Sequence, residues 1–160
     1  MTTILKRVLI LLGLLLLAAA AATYFHAEET KDPGPPPDLT GRWVQVGATP
    51  ESDWYFYADI TDDVIEIWWY LPSWNESALY WHGTFTPPEN GWTPYSWTSV
   101  NDMERARTSQ RASREAEKTF TYKDDGRLSY VVTAGHLQMG YALERADGSA
   151  VRDQLPPAEG

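Results

Sequence analysis

The sequence contains no cysteine. This excludes a disulfide framework, a thiolate nucleophile, a zinc site with cysteine ligands and the cysteine-linked lipid anchor of bacterial lipoproteins. With 160 residues, of which 43% are hydrophobic, the chain still has enough apolar material for the core of one domain and for short appendages. The fold is therefore expected to be stable without covalent cross-links.

Positive charge is also scarce, because 13 Lys and Arg stand against 22 Asp and Glu and the net charge is −9. Phosphate binding needs clustered Lys and Arg, so we do not expect nucleic acid as a partner. The excess of negative charge lies in residues 38–100. In the second half of the chain, basic side chains gather in one predicted loop: Arg105, Arg107, Arg111, Arg114 and Lys118. This loop is either a solvated surface loop or a flap that pairs with the acidic half or with a second protein.

Common catalytic motifs are missing as well. The sequence has no G-x-S-x-G, no H-E-x-x-H, no P-loop and no glycine-rich dinucleotide fingerprint. Its three histidines, His26, His82 and His136, are far apart, which is typical of surface or packing residues rather than metal ligands. We therefore expect no enzymatic activity, no cofactor and no metal.

A group of carboxylates around one predicted turn leaves an alternative open. Asp59, Asp62, Asp63 and Glu66 are close in sequence, and paired carboxylates can act as acid and base on a glycosidic bond or bind Ca²⁺. Aspartate is also ordinary turn chemistry, and the spacing is not that of an EF-hand. Hydrolysis of cell-envelope glycan by these carboxylates is the alternative to a non-catalytic role.

The longest hydrophobic run is at the N-terminus. Lys6 and Arg7 precede residues 8–25, which carry no charge, and a membrane-spanning helix needs about 20 apolar residues. The alanines at 18–22 also resemble signal-peptide cleavage sites. Residues 1–25 are therefore predicted to be a single-pass transmembrane anchor or, alternatively, a cleaved signal segment, and both export the rest of the chain. The proline-rich residues 26–38 are predicted to be an extended linker.

Eight β-strands are predicted from runs of β-branched and aromatic residues separated by turn-forming residues. They cover residues 41–46, 54–60, 64–71, 78–85, 95–100, 119–123, 127–133 and 137–144. The short links indicate antiparallel pairing in an all-β domain over residues 39–146, either a small up-and-down barrel or a β-sandwich. The run between residues 101 and 118 is predicted to be a long loop with a short helix capped by Asn101 or Asp102, and residues 147–160 a disordered tail.

Aromatic residues are concentrated in the strands, and all eight tryptophans lie between Trp43 and Trp97. Strand alternation places one set of aromatic side chains outward: Tyr55, Tyr57, Trp68, Tyr70 and Tyr80. Glu66 and His82 fall on the same faces. Such residues either form stabilising cross-strand pairs or make an exposed patch that binds a ligand, with Glu66 and His82 orienting it. The same residues therefore have two interpretations, a structural role in the sheet and a role in ligand binding.

The segment Leu39-Thr40-Gly41-Arg42-Trp43 resembles the G-x-W opening of lipocalin-like barrels. The resemblance implies that Trp43 plugs one end of a barrel and that a basic residue near the end of the last strand, here Arg145, packs on its ring. Gly41, Trp43 and Arg145 are then structural residues. The chain also has a hydrophobic N-terminal segment, a proline-rich linker, three tryptophan-rich strands and the stretches Tyr-Ser-Trp-Thr-Ser-Val-Asn-Asp at 95–102 and Lys-Thr-Phe-Thr-Tyr at 118–122. In these features it resembles small exported proteins of actinobacteria and their phages, a likeness that implies no particular activity.

These observations predict a binding or interaction module held outside a cell membrane. Its partner would be a protein, a glycan or a small apolar ligand, in addition to the membrane itself. The resemblance to phage proteins allows a role at the host envelope, such as exclusion of a second infecting phage. If the N-terminal segment is cleaved, the module is secreted instead.

Overall fold

The structure, a computed structural model, describes residues 32–157. Its strands are β1 Gly41–Gln45, β2 Tyr55–Ile60, β3 Val64–Leu71, β4 Glu76–Thr84, β5 Tyr95–Val100, β6 Glu117–Tyr122, β7 Leu128–Ala134 and β8 Leu137–Arg145. One short helix, α1 Met103–Ala106, follows β5, and 3-10 turns span Pro72–Trp74, Ala146–Gly148 and Arg152–Gln154. All eight predicted strands are confirmed, with ends that differ by at most two residues.

The strands form one antiparallel sheet in the order β4-β3-β2-β1-β8-β7-β6-β5. Because the first and last strands are neighbours, the sheet curls into a nearly closed barrel and not into the two separate sheets of a sandwich. The predicted eight-stranded all-β barrel is therefore confirmed, and its form is consistent with the lipocalin-like resemblance.

The end of the barrel where β1 begins and β8 ends is called the closed end. Trp43 is 1% exposed there and is the register partner of Arg145, whose guanidinium carbon lies 4.4 Å from the centre of the Trp43 ring. Trp43 Nε1 donates to Leu39 O at 3.0 Å, and Arg145 donates to the carbonyl oxygens of Thr40 and Asp38. Gly41 has φ +105°, and a side chain there would meet Arg145 Nη1. The predicted contact between Trp43 and Arg145 is confirmed.

The barrel is incomplete between β4 and β5, which share one isolated bridge from Gly83 to Asn101. A side chain at Gly83 would come within 2.4 Å of Ser99 Oγ, so only glycine permits this approach. Asp102 N donates to His82 O at 2.7 Å, and Asp102 Oδ1 caps α1 by accepting from the backbone of Glu104 and Arg105. The predicted cap of the short helix at Asp102 is confirmed.

A β-bulge changes which side chains of β4 face inward. Ile67 pairs with Trp81, but Trp68 pairs with Leu79, so Tyr80 is an extra residue. Tyr80 consequently joins Trp81 in the inner core. The prediction that Tyr80 faces outward with His82 is wrong because simple alternation does not continue through a bulge.

The C-terminal residues 146–157 cover part of the outer face of the barrel. Val151 is fully buried and belongs to a second cluster made of Val44, Ala48, Tyr55, Tyr57, Tyr70, Ala146 and Val151. Tyr70 Oη also lies 2.8 Å from Gln154 O. The sequence predicts a disordered tail from residue 147, whereas residues 147–157 follow an ordered path that completes an outer core.

The chain divides into two units, Met1–Gly34 and Pro35–Gly160. The predicted anchor and the first part of the linker lie outside the described residues, and residues 32–40 contain no helix or strand. No helix among residues 32–157 is long and apolar enough to cross a membrane.

Candidate functional site

The open end of the barrel, where β2 begins and β7 turns into β8, contains a cavity of about 500 Å³. The loop between β5 and β6 crosses this end and is fixed there by Ser113 N, which donates to Tyr80 O at 2.8 Å. The cavity is lined by Phe56, Trp69, Tyr80, Val132, Thr133 and Ala134 from the strands and by residues 111–115 from the loop. The open end is therefore a concave site built by four strands and one loop.

Three aromatic side chains that line this site, Phe56, Trp69 and Tyr80, belong to a larger cluster of packed rings. We call the rings of Trp54, Phe56, Trp69, Tyr80, Tyr130 and Tyr141 the open-end cluster. Phe56 is central, and the centres of the other five rings lie between 5.0 and 6.2 Å from its own. Such edge-to-face and tilted contacts fix the rings in place, so the aromatic part of the lining is rigid and apolar.

Polar atoms within the open-end cluster are left without partners. Trp69 Nε1 and Tyr130 Oη are buried and have no hydrogen-bond partner among the described residues. Tyr80 Oη is also buried. Burial raises the pKa of Tyr80 to about 12, a rise that a hydrogen bond with the Ser113 side chain partly offsets, and burial raises the pKa of Tyr130 well above its usual value. Each buried donor without an acceptor costs about 1–3 kcal/mol.

One cation lies behind the lining of the site, in contact with Tyr80 and Glu115, and another lies at its rim. The Lys118 side chain is 4% exposed, with its ammonium 5.6 Å from the Tyr80 ring centre and 5.2 Å from that of Trp81. It bonds to the Glu115 carboxylate and donates to Val131 O at 2.7 Å. At the rim, Arg111 lies 4.7 Å above the Trp69 ring. The site thus combines aromatic walls with positive charge.

An apolar lip extends the wall of the site beyond the barrel. Leu137 is 67% exposed and Met139 is 39% exposed. They are the register partners of Ala134 and Val132, which line the cavity, so all four side chains share the inner face of the β7–β8 hairpin. The lip offers an exposed apolar surface that is continuous with the cavity.

The aromatic residues that the sequence predicts as one exposed patch do not form such a patch. Tyr55, Tyr57, Tyr70 and Tyr80 are at most 5% exposed. The first three lie under the C-terminal residues 146–157, and Tyr80 lies inside the barrel. Trp68 is partly exposed at the edge of the outer cluster. Of the residues predicted for binding, the structure brings only Tyr80 to the open end.

Tyr57 and Trp68 do line a smaller pocket of about 140 Å³ on the outer face, together with Arg42, Asp59 and Glu66. Their rings are nearly parallel, with centres 6.4 Å apart. Asp59 is held by two hydrogen bonds of 2.7 Å from Arg42. This pocket brings together part of the predicted patch and part of the acidic group, but its carboxylate at Asp59 is already paired with a cation.

His82 lies beside the seam of the barrel, between two carboxylates. Its Nε2 is 3.4 Å from Glu66 Oε1 and its Nδ1 is 3.8 Å from Asp102 Oδ2. Arg105 Nη2 reaches the same Glu66 oxygen at 3.2 Å. Arg105 therefore connects the basic loop to the acidic half, as the flap interpretation of that loop predicts, and His82 takes part in this contact rather than in the cavity.

Sequence reasoning missed most residues of the open-end cluster and both of its cations. One signal was available for Lys118, which precedes Phe120 by two residues and so shares its inward face in a strand that begins at Glu117. Metal binding has no candidate here, since the described residues contain no group of three or more His, Asp or Glu that could hold an ion.

No family model, curated protein or solved structure matches this chain. The likeness to exported proteins of actinobacteria and their phages therefore remains a prediction from sequence.

Proposed function

We propose that this protein is a membrane-tethered, extracytoplasmic binding module whose ligand occupies the open end of the barrel. The observation that carries the proposal is the cavity lined by Phe56, Trp69 and Tyr80, where Trp69 Nε1 is buried without a partner in residues 32–157. A ligand that brings an oxygen acceptor to this donor would recover the free energy lost by burying it.

The shape of the site favours a small ligand over a protein or a glycan chain. A volume of about 500 Å³ is within the range of roughly 300–1,000 Å³ that is usual for small-molecule sites. Its walls are mainly aromatic and aliphatic, and Leu137 and Met139 extend them outward. A partner with an apolar body and a few polar atoms fits this surface best.

Tethering is supported by the sequence of residues 6–25, in which two cations precede a long uncharged run. Cytoplasmic Lys and Arg would orient the anchor so that the barrel is outside. N-terminal sequencing and intact-mass measurement of the membrane fraction test this point. A mature chain that begins near Ala22 and is found free in the medium would instead indicate a cleaved signal and a secreted module.

Binding is tested by calorimetric titration of the full-length chain in lipid nanodiscs with 2-naphthamide, a neutral aromatic probe. We expect saturable heat that empty nanodiscs do not give. Ala134→Trp places a large ring in the cavity, which Ala134 lines, and should abolish that heat.

The matched control is Thr119→Trp, which adds the same ring at an exposed position of β6. Thr119→Trp should leave the heat of 2-naphthamide binding unchanged. Absence of saturable binding to the unsubstituted chain, or equal loss in both variants while both remain folded by circular dichroism, would refute a site at the open end.

A second candidate is hydrolysis of envelope glycan at the outer pocket. It is favoured by the convergence of Asp59, Glu66 and the partly exposed Trp68 on that one pocket. Release of reducing ends from purified cell-wall glycan, lost in both Asp59→Asn and Glu66→Gln, would support it. Because Asp59 is paired with Arg42 and Glu66 with Arg105, we expect no release.

A further inference from the structure

Lys118 is a cation inside a barrel that is otherwise filled largely with apolar and aromatic side chains. A buried ammonium is costly unless it is paired and hydrogen-bonded. One bond of Lys118 goes to a strand carbonyl, Val131 O. Its counter-ion, Glu115, comes from the loop that crosses the open end and not from the barrel wall.

The Glu115 carboxylate is the exposed member of this pair. Its side chain is 35% exposed, against 4% for Lys118, and it lines the cavity. Burial alone would raise the pKa of Glu115, but hydrogen bonds from Lys118, Thr133 and Ser113 lower it on balance. The Glu115 carboxylate is therefore ionised at neutral pH, and it already occupies the position beside the Lys118 ammonium.

We propose that the open end selects small molecules with an apolar body and a single carboxylate, and that this carboxylate replaces Glu115 as the counter-ion of Lys118. The inference rests on the proposed function, because it assigns the ligand class of the same site. The exchange replaces the carboxylate of Glu115 by the carboxylate of the ligand, so the charge of Lys118 stays paired. Glu115 moves into the solvent, which its side chain already reaches.

Other contacts of the site favour the same chemistry. Trp69 Nε1 is a donor without an acceptor in the described part of the chain, Tyr80 Oη is a second buried donor of a residue that lines the cavity, and a carboxylate offers several lone pairs. Arg111 at the rim adds positive charge above the Trp69 ring. The open-end cluster and the lip take the apolar body. A neutral ligand would satisfy the donors but would leave Glu115 in place.

The test compares 2-naphthoate with 2-naphthamide, which share a ring system and differ in charge, by calorimetry of the full-length chain in nanodiscs. We expect the naphthoate to bind about tenfold more tightly, because its carboxylate accepts hydrogen bonds from the donors of the site, Trp69 Nε1 and Tyr80 Oη, more strongly than a neutral amide oxygen does. Glu115→Gln removes the internal competitor and keeps the shape, so it should widen this preference by about tenfold again. Naphthamide affinity should stay within about twofold, because no charge is exchanged.

The control is Glu117→Gln, which makes the same change two residues away at an exposed position of β6 and should leave the preference as it is. Lys118→Met should equalise the two probes. Because Lys118→Met deletes a buried charge and Glu115→Gln leaves Lys118 without its counter-ion, near-ultraviolet circular dichroism first has to show that each variant is folded, and Glu115→Gln then decides. Equal affinity for both probes, or a preference that Glu115→Gln does not widen, overturns the carboxylate assignment while the proposed binding function stands. If neither probe binds to any of the proteins, both proposals fail.

Discussion

The two ends of the barrel are built from the same kinds of residue and treat polar atoms in opposite ways. At the closed end, Trp43 Nε1 bonds to Leu39 O and the Arg145 guanidinium is both stacked and hydrogen-bonded. At the open end, Trp69 Nε1 and the Tyr130 hydroxyl are buried with no acceptor among the described residues. Trp97 Nε1 in β5 and Tyr55 Oη in the outer cluster also lack one within residues 32–157.

The closed end therefore contributes to the stability of the barrel, whereas the open end is the place of the proposed binding site. Buried polar groups in folded proteins are nearly always paired, so a cluster of unpaired ones needs an explanation. At the closed end, polar atoms form hydrogen bonds that help to join the first strand to the last. At the open end, buried donors lie beside a cavity and have no acceptor among the described residues. The comparison leads to four predictions, which differ in the size of the expected effect.

The largest effect is expected at the closed end. Trp43→Ala should lower the free energy of unfolding by about 3–5 kcal/mol, as truncation of a large buried aromatic side chain does. Urea unfolding of the full-length chain, followed by near-ultraviolet circular dichroism, measures it. Trp74→Ala is the control, since Trp74 is 71% exposed, and should change stability by less than about 0.5 kcal/mol. Similar losses in the two variants would contradict a Trp43-centred closed end.

The next effect has the opposite sign. Tyr130→Phe deletes a buried hydroxyl that has no partner in the described chain and should raise the free energy of unfolding by about 1–3 kcal/mol. Tyr70→Phe is the matched control, because Tyr70 Oη is 2.8 Å from Gln154 O, and it should cost about 1 kcal/mol. Destabilisation by Tyr130→Phe would show that its hydroxyl is satisfied.

The open end should also make the protein sensitive to alkali. Tyr80 has a pKa of about 12 in the folded state against 10.0 for the free side chain, so the folded state holds a proton that the unfolded state loses. This contribution to stability is complete below pH 10 and disappears as the pH rises towards 12. Urea midpoints measured across this interval should fall, and less steeply in Tyr80→Phe. Parallel curves for the two proteins would contradict the raised pKa.

The smallest change in stability is expected at the lip. Leu137→Ser alters a side chain that is 67% exposed, so unfolding should change by less than about 0.5 kcal/mol, while affinity for 2-naphthamide should fall about fivefold through lost apolar contact. Val131→Ser is the control, because Val131 is 44% exposed but alternates with Tyr130 and Val132 and so faces outward. Equal effects of the two substitutions on affinity would remove the lip from the site.

The strands and the closure of the barrel were predictable because their signals repeat along the chain. Alternation over eight residues of β3 and the pairing of Trp43 with Arg145 each give one consistent answer. The bulge at Tyr80 had no such signal, since Leu79, Tyr80 and Trp81 are all apolar or aromatic and suit either face. One inserted residue therefore moved Tyr80 from the predicted patch into the site.

The outer cover and the buried cation were missed for another reason. The segment around Val151 and Leu155 is short, polar and rich in proline, so its order comes from contact with Tyr55 and Tyr70 and not from local propensity. Lys118 lies at the end of a run of charged residues, and such a run is typical of a solvated loop. Both depend on contacts between parts of the chain that are distant in sequence, which a local pattern does not record.

The seam between β4 and β5 also has a consequence for how the chain folds. It divides the barrel into two meanders of consecutive hairpins, β1–β4 and β5–β8, which are joined across the sheet by the pairing of Trp43 with Arg145. Loops close faster when the partners are near in sequence, so we expect each meander to form early and the β1–β8 ladder to be the slow step. During synthesis, the aromatic inner face of the first meander therefore stays uncovered until β8 has been made.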